Sequence, residues 1–203
     1  RLLDAVLDPG FFGAVPTPAK LMEIVIRALD QAYDYQDALD RSRIVGREQG
    51  FLIGVRVISG TITAPQAGAA YATLAETLIS TLAARVEAEL ERQHGRVPQG
   101  QAAVIAMGKL GGREMTAASD LDLITVYDFE GESGQSQGPK SLPGSQYYTR
   151  FTQRLIAALS AQTAEGSLYQ VDMRLRPSGS QGPVATKLAS FIDYQRNSAW
   201  TWE

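Results

Sequence analysis

The sequence contains no cysteine and only one histidine, His94. The absence of cysteine excludes a disulfide framework, a zinc ribbon and a thiol nucleophile. A single histidine excludes a metal site built from several imidazoles, and any Ser-His-Asp triad would have to use His94. A catalytic metal in this chain must therefore be bound by oxygen ligands, which favours magnesium or manganese.

The sequence also lacks an excess of one charge and a long apolar run. Lysine and arginine number 19 and aspartate and glutamate 22, for a net charge of −3, which argues against a protein that coats DNA. The longest charge-free stretch, residues 57–75, contains Pro65 and two glycines, so it cannot span a membrane. Hydrophobic residues make up 44% of the 203, as in ordinary globular proteins of one large or two small domains.

The first part of the sequence is predicted to be helical. The Thr-Pro pair at residues 17–18 is typical of a helix start, and apolar residues follow it at helical spacing. A weaker pattern predicts a second helix around residues 51–58. The third helix is the clearest, because Thr63 and Gln66 fit a capping box and Gly95 is a natural stop signal.

The second part of the sequence changes character. Its apolar runs predict strands and helices in the order β, β, α, β, α over residues 102–106, 121–127, 147–161, 168–175 and 190–200. We therefore predict an α+β protein, with a helical segment over residues 1–96. Residues 97–203 are predicted to form a domain with a small mixed sheet flanked by helices.

Two local expectations accompany this division. Between residues 131 and 146, 13 of 16 residues are glycine, serine, proline or glutamine, which predicts a flexible surface loop. His94 lies in the last turn of the third predicted helix. We interpret it as a solvated imidazole near the negative end of the helix dipole rather than as a catalytic group.

The most informative stretch surrounds Asp120 and Asp122, at the start of the second predicted strand. One residue separates them, so the two-residue period of a strand places both carboxylates on one face. A lone pair of this kind is more often a solvated strand edge than a site. The acidic pair indicates a functional site only if other functional residues accompany it.

Three further features accompany this acidic pair. Gly111 and Gly112 could let the backbone approach a phosphate, although a plain turn is the alternative. Asp172 interrupts another strand-like run, so adjacent strands would bring a third carboxylate; an edge residue paired with Arg174 is the alternative. Arg174 and Arg176 alternate along that run and so share a face with Asp172, as suits binding of a metal-bound polyphosphate.

The cost of gathering carboxylates favours a bound cation. Two carboxylates about 5 Å apart repel by roughly 3 kcal/mol at an effective dielectric constant near 20. That cost is large against a total stability of about 5–15 kcal/mol, so a convergent trio is more plausible as a divalent-metal site.

Longer motifs carry a family resemblance. A strand, a Gly-Gly pair and an Asp-x-Asp pair, followed by a later strand acid, resemble the DNA polymerase β-like nucleotidyltransferase superfamily. The motifs at residues 108–114, 119–123 and 171–179 resemble those of the glutamine synthetase adenylyltransferase family. The resemblance covers residues 101–203, and the ending over residues 191–203 is similar to the AMP-adding half of that family.

The resemblance implies transfer of AMP from ATP to a tyrosine of glutamine synthetase, with release of pyrophosphate and two magnesium ions bound. The implied metal-binding and catalytic residues are Asp120, Asp122 and Asp172, the last of which also helps to deprotonate the tyrosine. The implied nucleotide-binding residues are Gly111, Gly112, Ser119, Lys109, Arg174 and Arg176. For Lys109 a solvated salt bridge is an equal alternative.

The resemblance further implies a cytoplasmic bacterial enzyme that is regulated by the PII signalling protein and has no nucleic-acid or membrane partner. It implies that this chain is a segment of a longer protein with a further C-terminal helical domain. Two other functions stay open, namely phosphorolytic removal of AMP and non-catalytic nucleotide binding in regulation. Trp200 and Trp202 could stack on adenine or on the target protein, but packing is the more common role of such residues.

Overall fold

The computed structural model describes residues 6–7, 11–12, 16–131 and 134–200. In these residues we number the helices α1 (Pro18–Asp30), α2 (Tyr35–Ile58), α3 (Ala64–His94), α4 (Gly108–Gly111), α5 (Gly144–Ser160) and α6 (Leu188–Asn197). The strands are β1 (Gln101–Ala106), β2 (Leu121–Asp128), β3 (Val171–Asp172) and β4 (Ala185–Lys187). None of these helices combines the length and the apolarity needed to cross a membrane.

The predicted start of the first helix and the predicted start and end of the third helix are confirmed. Thr17 caps α1 by accepting a hydrogen bond from the Lys20 N–H at 3.2 Å. Thr63 and Gln66 form the reciprocal capping box at the start of α3, and Gly95 ends that helix at a φ of 69°, which favours glycine. α2 is much longer than the sequence pattern indicated.

The sheet is small and mixed, as predicted, and β2 lies at its centre. β2 pairs antiparallel with β1 and parallel with both β3 and β4. The third predicted strand, residues 168–175, is wrong in length, because only Val171 and Asp172 pair with β2 before the chain turns. β4 was not predicted from the sequence, since three residues are too few to show a period.

Hydrophobic burial joins the helices to the sheet. One cluster of buried side chains runs from α1 and α3 to β2 and α5. Leu78 and Leu82 of α3, Leu121 of β2 and Leu155 of α5 are members that are almost completely buried. β2 is therefore held against the helical part of the chain, and this fixes the strand that carries the acidic pair.

One local expectation is wrong, and the other is correct only in part. His94 is 3% exposed rather than solvated, and its Nδ1 lies 2.6 Å from the carbonyl oxygen of Lys140, a geometry in which Nδ1 donates. The predicted surface loop is confirmed over residues 134–143, where half of the residues are exposed, but α5 begins at Gly144. Ser136 and Leu142 are nevertheless buried, and the Leu142 N–H donates to the Ser136 hydroxyl at 2.9 Å. Flexibility of this loop stays a prediction. The composition indicates a preference for turns but cannot predict these contacts. The segment covers the end of α3, where the Lys140 carbonyl oxygen lies against His94.

Candidate active site

The three acids predicted to converge do so at the junction of β2 and β3. Asp120 immediately precedes β2, and Asp122 is the second residue of that strand. Asp122 is the register partner of Asp172 on the parallel strand β3. A carboxylate oxygen from each of the three lies within 4.8 Å of the others. We call these three residues the acidic trio.

Asp122 has the least favourable environment of the acidic trio. Burial, followed by the charges of Asp120 and Asp172, raises the pKa of Asp122 above its ordinary value. The positive charges of Arg174 and Lys109 oppose this rise without cancelling it. The charged form of Asp122 is therefore destabilised in the fold, as expected where like charges gather without full compensation.

Asp172 is stabilised in its charged form by Arg174. The Arg174 Nε donates to one Asp172 oxygen at 2.7 Å, and the Arg174 backbone N–H donates to the other at 2.8 Å. These hydrogen bonds lower the pKa of Asp172. The predicted alternative, an Asp172–Arg174 pair, is thus present together with the convergent trio. The Arg174 side chain is 80% exposed, so it is free to turn towards a ligand.

Arg176 does not share a strand face with Asp172, and that prediction is wrong. β3 ends at Asp172, and the chain then turns. The Arg176 guanidinium donates to the carbonyl oxygens of Met173 at 2.6 Å and Gly182 at 3.2 Å. It therefore holds the turn together, and a direct role in nucleotide binding stays a prediction.

The structure adds Gly108, which the sequence analysis did not name as a site residue. Gly108 has a φ of 51°, and a Cβ built there would lie 2.1 Å from the Asp122 Oδ2. Only glycine allows the backbone to pass this close to the acidic trio. The available signal was the position of Gly108, two residues beyond β1 and at the start of the Gly-Lys-Leu-Gly-Gly motif.

Gly111 and Gly112 form a turn near the acidic trio. Their N–H groups donate to the carbonyl oxygens of Met107 and Gly108, at 2.8 and 2.9 Å, so both N–H groups are used within the turn. A Cβ at Gly111 would lie 2.6 Å from the Ala106 oxygen, so close packing explains this glycine. A close approach of phosphate at Gly111 or Gly112 stays a prediction.

Ser119 and Lys109, near the acidic trio, differ in their exposure. The Ser119 hydroxyl is buried and accepts a hydrogen bond from the Thr116 N–H at 2.9 Å, which closes the turn before Asp120. Lys109 is exposed, and its charge acts on Asp122. Contact of either side chain with phosphate stays a prediction.

Of the two tryptophans, Trp200 is 66% exposed and so is not a core residue, and Trp202 lies outside the described residues.

The donor set of the acidic trio suits a hard divalent cation. Magnesium and manganese prefer carboxylate oxygens, and three such oxygens converge here. Burial, and then the charges of Asp120 and Asp172, raise the pKa of Asp122, and a bound cation would oppose this rise. Partial exposure leaves coordination positions for substrate oxygens. The arrangement therefore suits a divalent metal ion that also binds oxygens of a ligand.

Comparison with known proteins identifies relatives over the whole chain. The sequence model of the family described as glutamate-ammonia ligase adenylyltransferase matches residues 1–203. Proteins from Bradyrhizobium diazoefficiens, Brucella suis and Xanthobacter autotrophicus are 52%, 54% and 55% identical over all 203 residues. Each is named a bifunctional glutamine synthetase adenylyltransferase/adenylyl-removing enzyme. The chain spans only 20–21% of the length of these relatives.

Proposed function

Because this chain belongs to the glutamate-ammonia ligase adenylyltransferase family, we propose that it carries a nucleotidyltransferase site acting on glutamine synthetase. The reaction is transfer of AMP from ATP to a tyrosine hydroxyl. The tyrosine oxygen bonds to the α-phosphorus, the bond to the β-phosphate oxygen breaks, and pyrophosphate leaves. The observation that carries the proposal is the convergence of three carboxylates within 4.8 Å.

The acidic trio would hold the metal ions in this proposal. Asp120 and Asp122 would bind both of two magnesium or manganese ions, and Asp172 would complete the second site. When bound, the ions would stabilise charge on the attacking and leaving oxygens. Lys109 and Arg174 stand beside the trio and would bind phosphate oxygens.

Asp172 is better suited to metal binding than to proton transfer. Its pKa is lowered by Arg174, so it is ionised at neutral pH and available as a ligand. The same lowering makes it a weak proton acceptor, because basicity falls with pKa. If Asp172 assists deprotonation of the tyrosine, Arg174 must first turn away from it.

We propose AMP addition as the direction of the reaction, on the basis of the ending over residues 191–203. The alternative is AMP removal, in which inorganic phosphate attacks adenylyl-tyrosine and ADP is released. The names of the relatives include both activities, so the alternative needs its own test. The acidic trio serves either direction, since both displacements occur at the same phosphorus.

The proposed partners follow from the family. Glutamine synthetase would be the protein substrate, the PII signalling protein would regulate the complete enzyme, and both would be met in the cytoplasm. Nucleic-acid binding is not proposed, because the net charge is −3.

The proposal is tested by labelling glutamine synthetase with ATP and magnesium, using the protein expressed from its complete gene. The parent should attach AMP to a tyrosine, and Asp122→Asn should abolish labelling. Arg92→Ala is a matched control, since it removes an exposed ion pair with Glu89 at the far end of α3. Phosphate-dependent ADP release without forward labelling would reassign the site to AMP removal. Binding of magnesium-ATP without either reaction would indicate the non-catalytic alternative.

A further inference from the structure

The segment between β1 and β2, residues 107–120, is anchored at several points. We call it the β1–β2 loop; it includes α4. Leu110 and Met115 are buried in the hydrophobic core, one on each side of Arg113. The loop runs from Gly108, which lies against the Asp122 carboxylate, to Asp120 itself. The loop therefore contacts one member of the acidic trio and ends in another.

The side chain of Arg113 fastens this loop to α3. One guanidinium nitrogen lies 2.6 and 2.8 Å from the two carboxylate oxygens of Glu76. The other donates to the Thr73 hydroxyl at 2.6 Å and to the Ala69 carbonyl oxygen at 3.3 Å. These three acceptors are four and three residues apart, so they lie along one face of α3. The planar guanidinium matches this row of acceptors in a way that an ammonium cannot.

The backbone of Arg113 is also seated against α3. A Cβ at Gly68 would lie 3.0 Å from the Arg113 carbonyl oxygen and 3.2 Å from the Glu114 Cα. Arg113 itself has a φ of 58°, a left-handed conformation that is costly for a residue with a side chain. Such a conformation persists only when surrounding contacts impose it. Here the turn that ends α4 accounts for the conformation, because the Arg113 N–H donates to the Leu110 carbonyl oxygen at 3.1 Å and the Glu114 N–H to that of Lys109 at 2.8 Å. The contacts with α3 then hold this turn in place.

We infer that Arg113 is a positioning residue, which aligns Asp120 and Asp122 with Asp172 by fastening the β1–β2 loop to α3. The inference rests on the proposed function. Arg113 and Glu76 are both 44% exposed, and ion pairs this exposed contribute little to stability. The contact should therefore matter more to the geometry of the acidic trio than to folding.

The test compares Arg113→Ala, Arg113→Lys and Glu76→Gln with the parent, in the protein expressed from its complete gene. Arg113→Ala should lower kcat by about 10–100-fold, the effect expected from a small misplacement of reacting groups. It should also raise the magnesium concentration needed for half-maximal rate, while the KM for glutamine synthetase stays unchanged. Arg113→Lys should restore part of the loss. Arg92→Ala, which breaks another exposed ion pair of α3, should behave as the parent.

Two results would overturn the inference. One is an Arg113→Ala variant with the kcat and magnesium dependence of the parent. The other is a loss of activity fully explained by the unfolded fraction at the assay temperature, which would make Arg113 purely structural.

A readout without catalysis keeps this test separate from the proposed function. Manganese should raise the melting temperature of the parent, and the rise should be smaller in Arg113→Ala. An inactive parent that still shows this difference would contradict the proposed function and support the positioning role. Equal shifts in the two proteins would contradict the positioning role.

Discussion

Arg43 and the acidic trio are two charged regions that the fold treats in opposite ways. The side chain of Arg43 is 1% exposed, and its guanidinium donates to the carbonyl oxygens of Ala158, Ala161 and Gly166 at 2.8–3.1 Å. These oxygens belong to the end of α5 and to the turn that leads towards β3. Because the last carbonyls of a helix have no partner within it, the arginine and the helix end satisfy each other.

The acidic trio keeps its charges only partly matched. Arg174 neutralises Asp172, but Asp122 faces two other carboxylates, and its pKa is raised by burial and by their charges. A buried charge that stabilises the fold, such as that of Arg43, is hydrogen-bonded to groups of the protein itself. Charges left unmatched at the junction of β2 and β3 instead favour a ligand from outside, which is the physical basis of the metal site we propose.

The largest expected effect comes from replacing Arg43, whose charge is fully hydrogen-bonded within the protein. Arg43→Met keeps most of the apolar volume but removes the donor from the carbonyl oxygens of Ala158 and Ala161, at about 1–3 kcal/mol each. The Gly166 oxygen keeps the Thr163 N–H. We expect a total loss of about 2–6 kcal/mol from these two oxygens. The melting temperature in EDTA should fall by about 2–4 °C for each 1 kcal/mol lost.

Arg85→Met is the matched control for Arg43→Met. Arg85 also donates to a carbonyl oxygen, that of Leu29 at 3.0 Å, but its side chain is about one-third exposed, so water can replace it. If the two variants melted at the same temperature, the buried carbonyls around Arg43 would have no special dependence on it.

The unmatched region should respond in the opposite direction. Asp122→Asn removes repulsion while keeping shape, so it should raise the melting temperature in EDTA by about 2–4 °C for each 1 kcal/mol relieved. Asp120→Asn should act similarly. The same variants should lose the stabilisation that magnesium-ATP gives the parent, because linkage stabilises only a state that binds the ligand. Both variants would then be more stable than the metal-free parent but unable to bind the ligand.

Asp172→Asn is the internal comparison for these variants. It removes a carboxylate already paired with Arg174, so it should not raise the melting temperature in EDTA. Thermal melts of all three variants, with EDTA and with magnesium-ATP, make the comparison. An Asp122→Asn variant that melts below the parent in EDTA would show that Asp122 is a structural partner.

The sequence predicted the acidic trio because its signals are local. A strand period of two relates Asp120 to Asp122, and an apolar run around each acid indicates a strand, so convergence needed only that β2 and β3 be neighbours. Helix starts were predictable for the same reason, since a cap and its N–H partner lie within one turn. The mixed sheet followed from the order of the elements.

The remaining contacts could not be predicted, because they join segments that are distant in the chain. Arg43 and Arg113 are polar residues whose partners lie 115 and 37 positions away, and no periodicity marks such pairs. Arg176 looked like part of a strand because its turn is imposed by hydrogen bonds to later residues. The division at residue 96 stays a prediction, although one hydrophobic cluster includes residues from both sides of it.

The smallest expected effect is a pH dependence that separates Asp122 from Asp172. The raised pKa of Asp122 means that its charge destabilises the fold, so the metal-free parent should gain stability as pH falls from 7 through that raised value. The advantage of Asp122→Asn should therefore be largest at neutral pH and should shrink towards zero near the ordinary value of 3.8. The charge of Asp172 stabilises the fold, because its pKa is lowered. Any cost of Asp172→Asn should therefore persist down to 3.8 and disappear only below it. Melting temperatures of the parent and both variants in EDTA, measured in steps from pH 7 to pH 4, give the two differences directly. A constant Asp122→Asn advantage across this range would show that the gain comes from packing or hydrogen bonding rather than from the charges of Asp120 and Asp172.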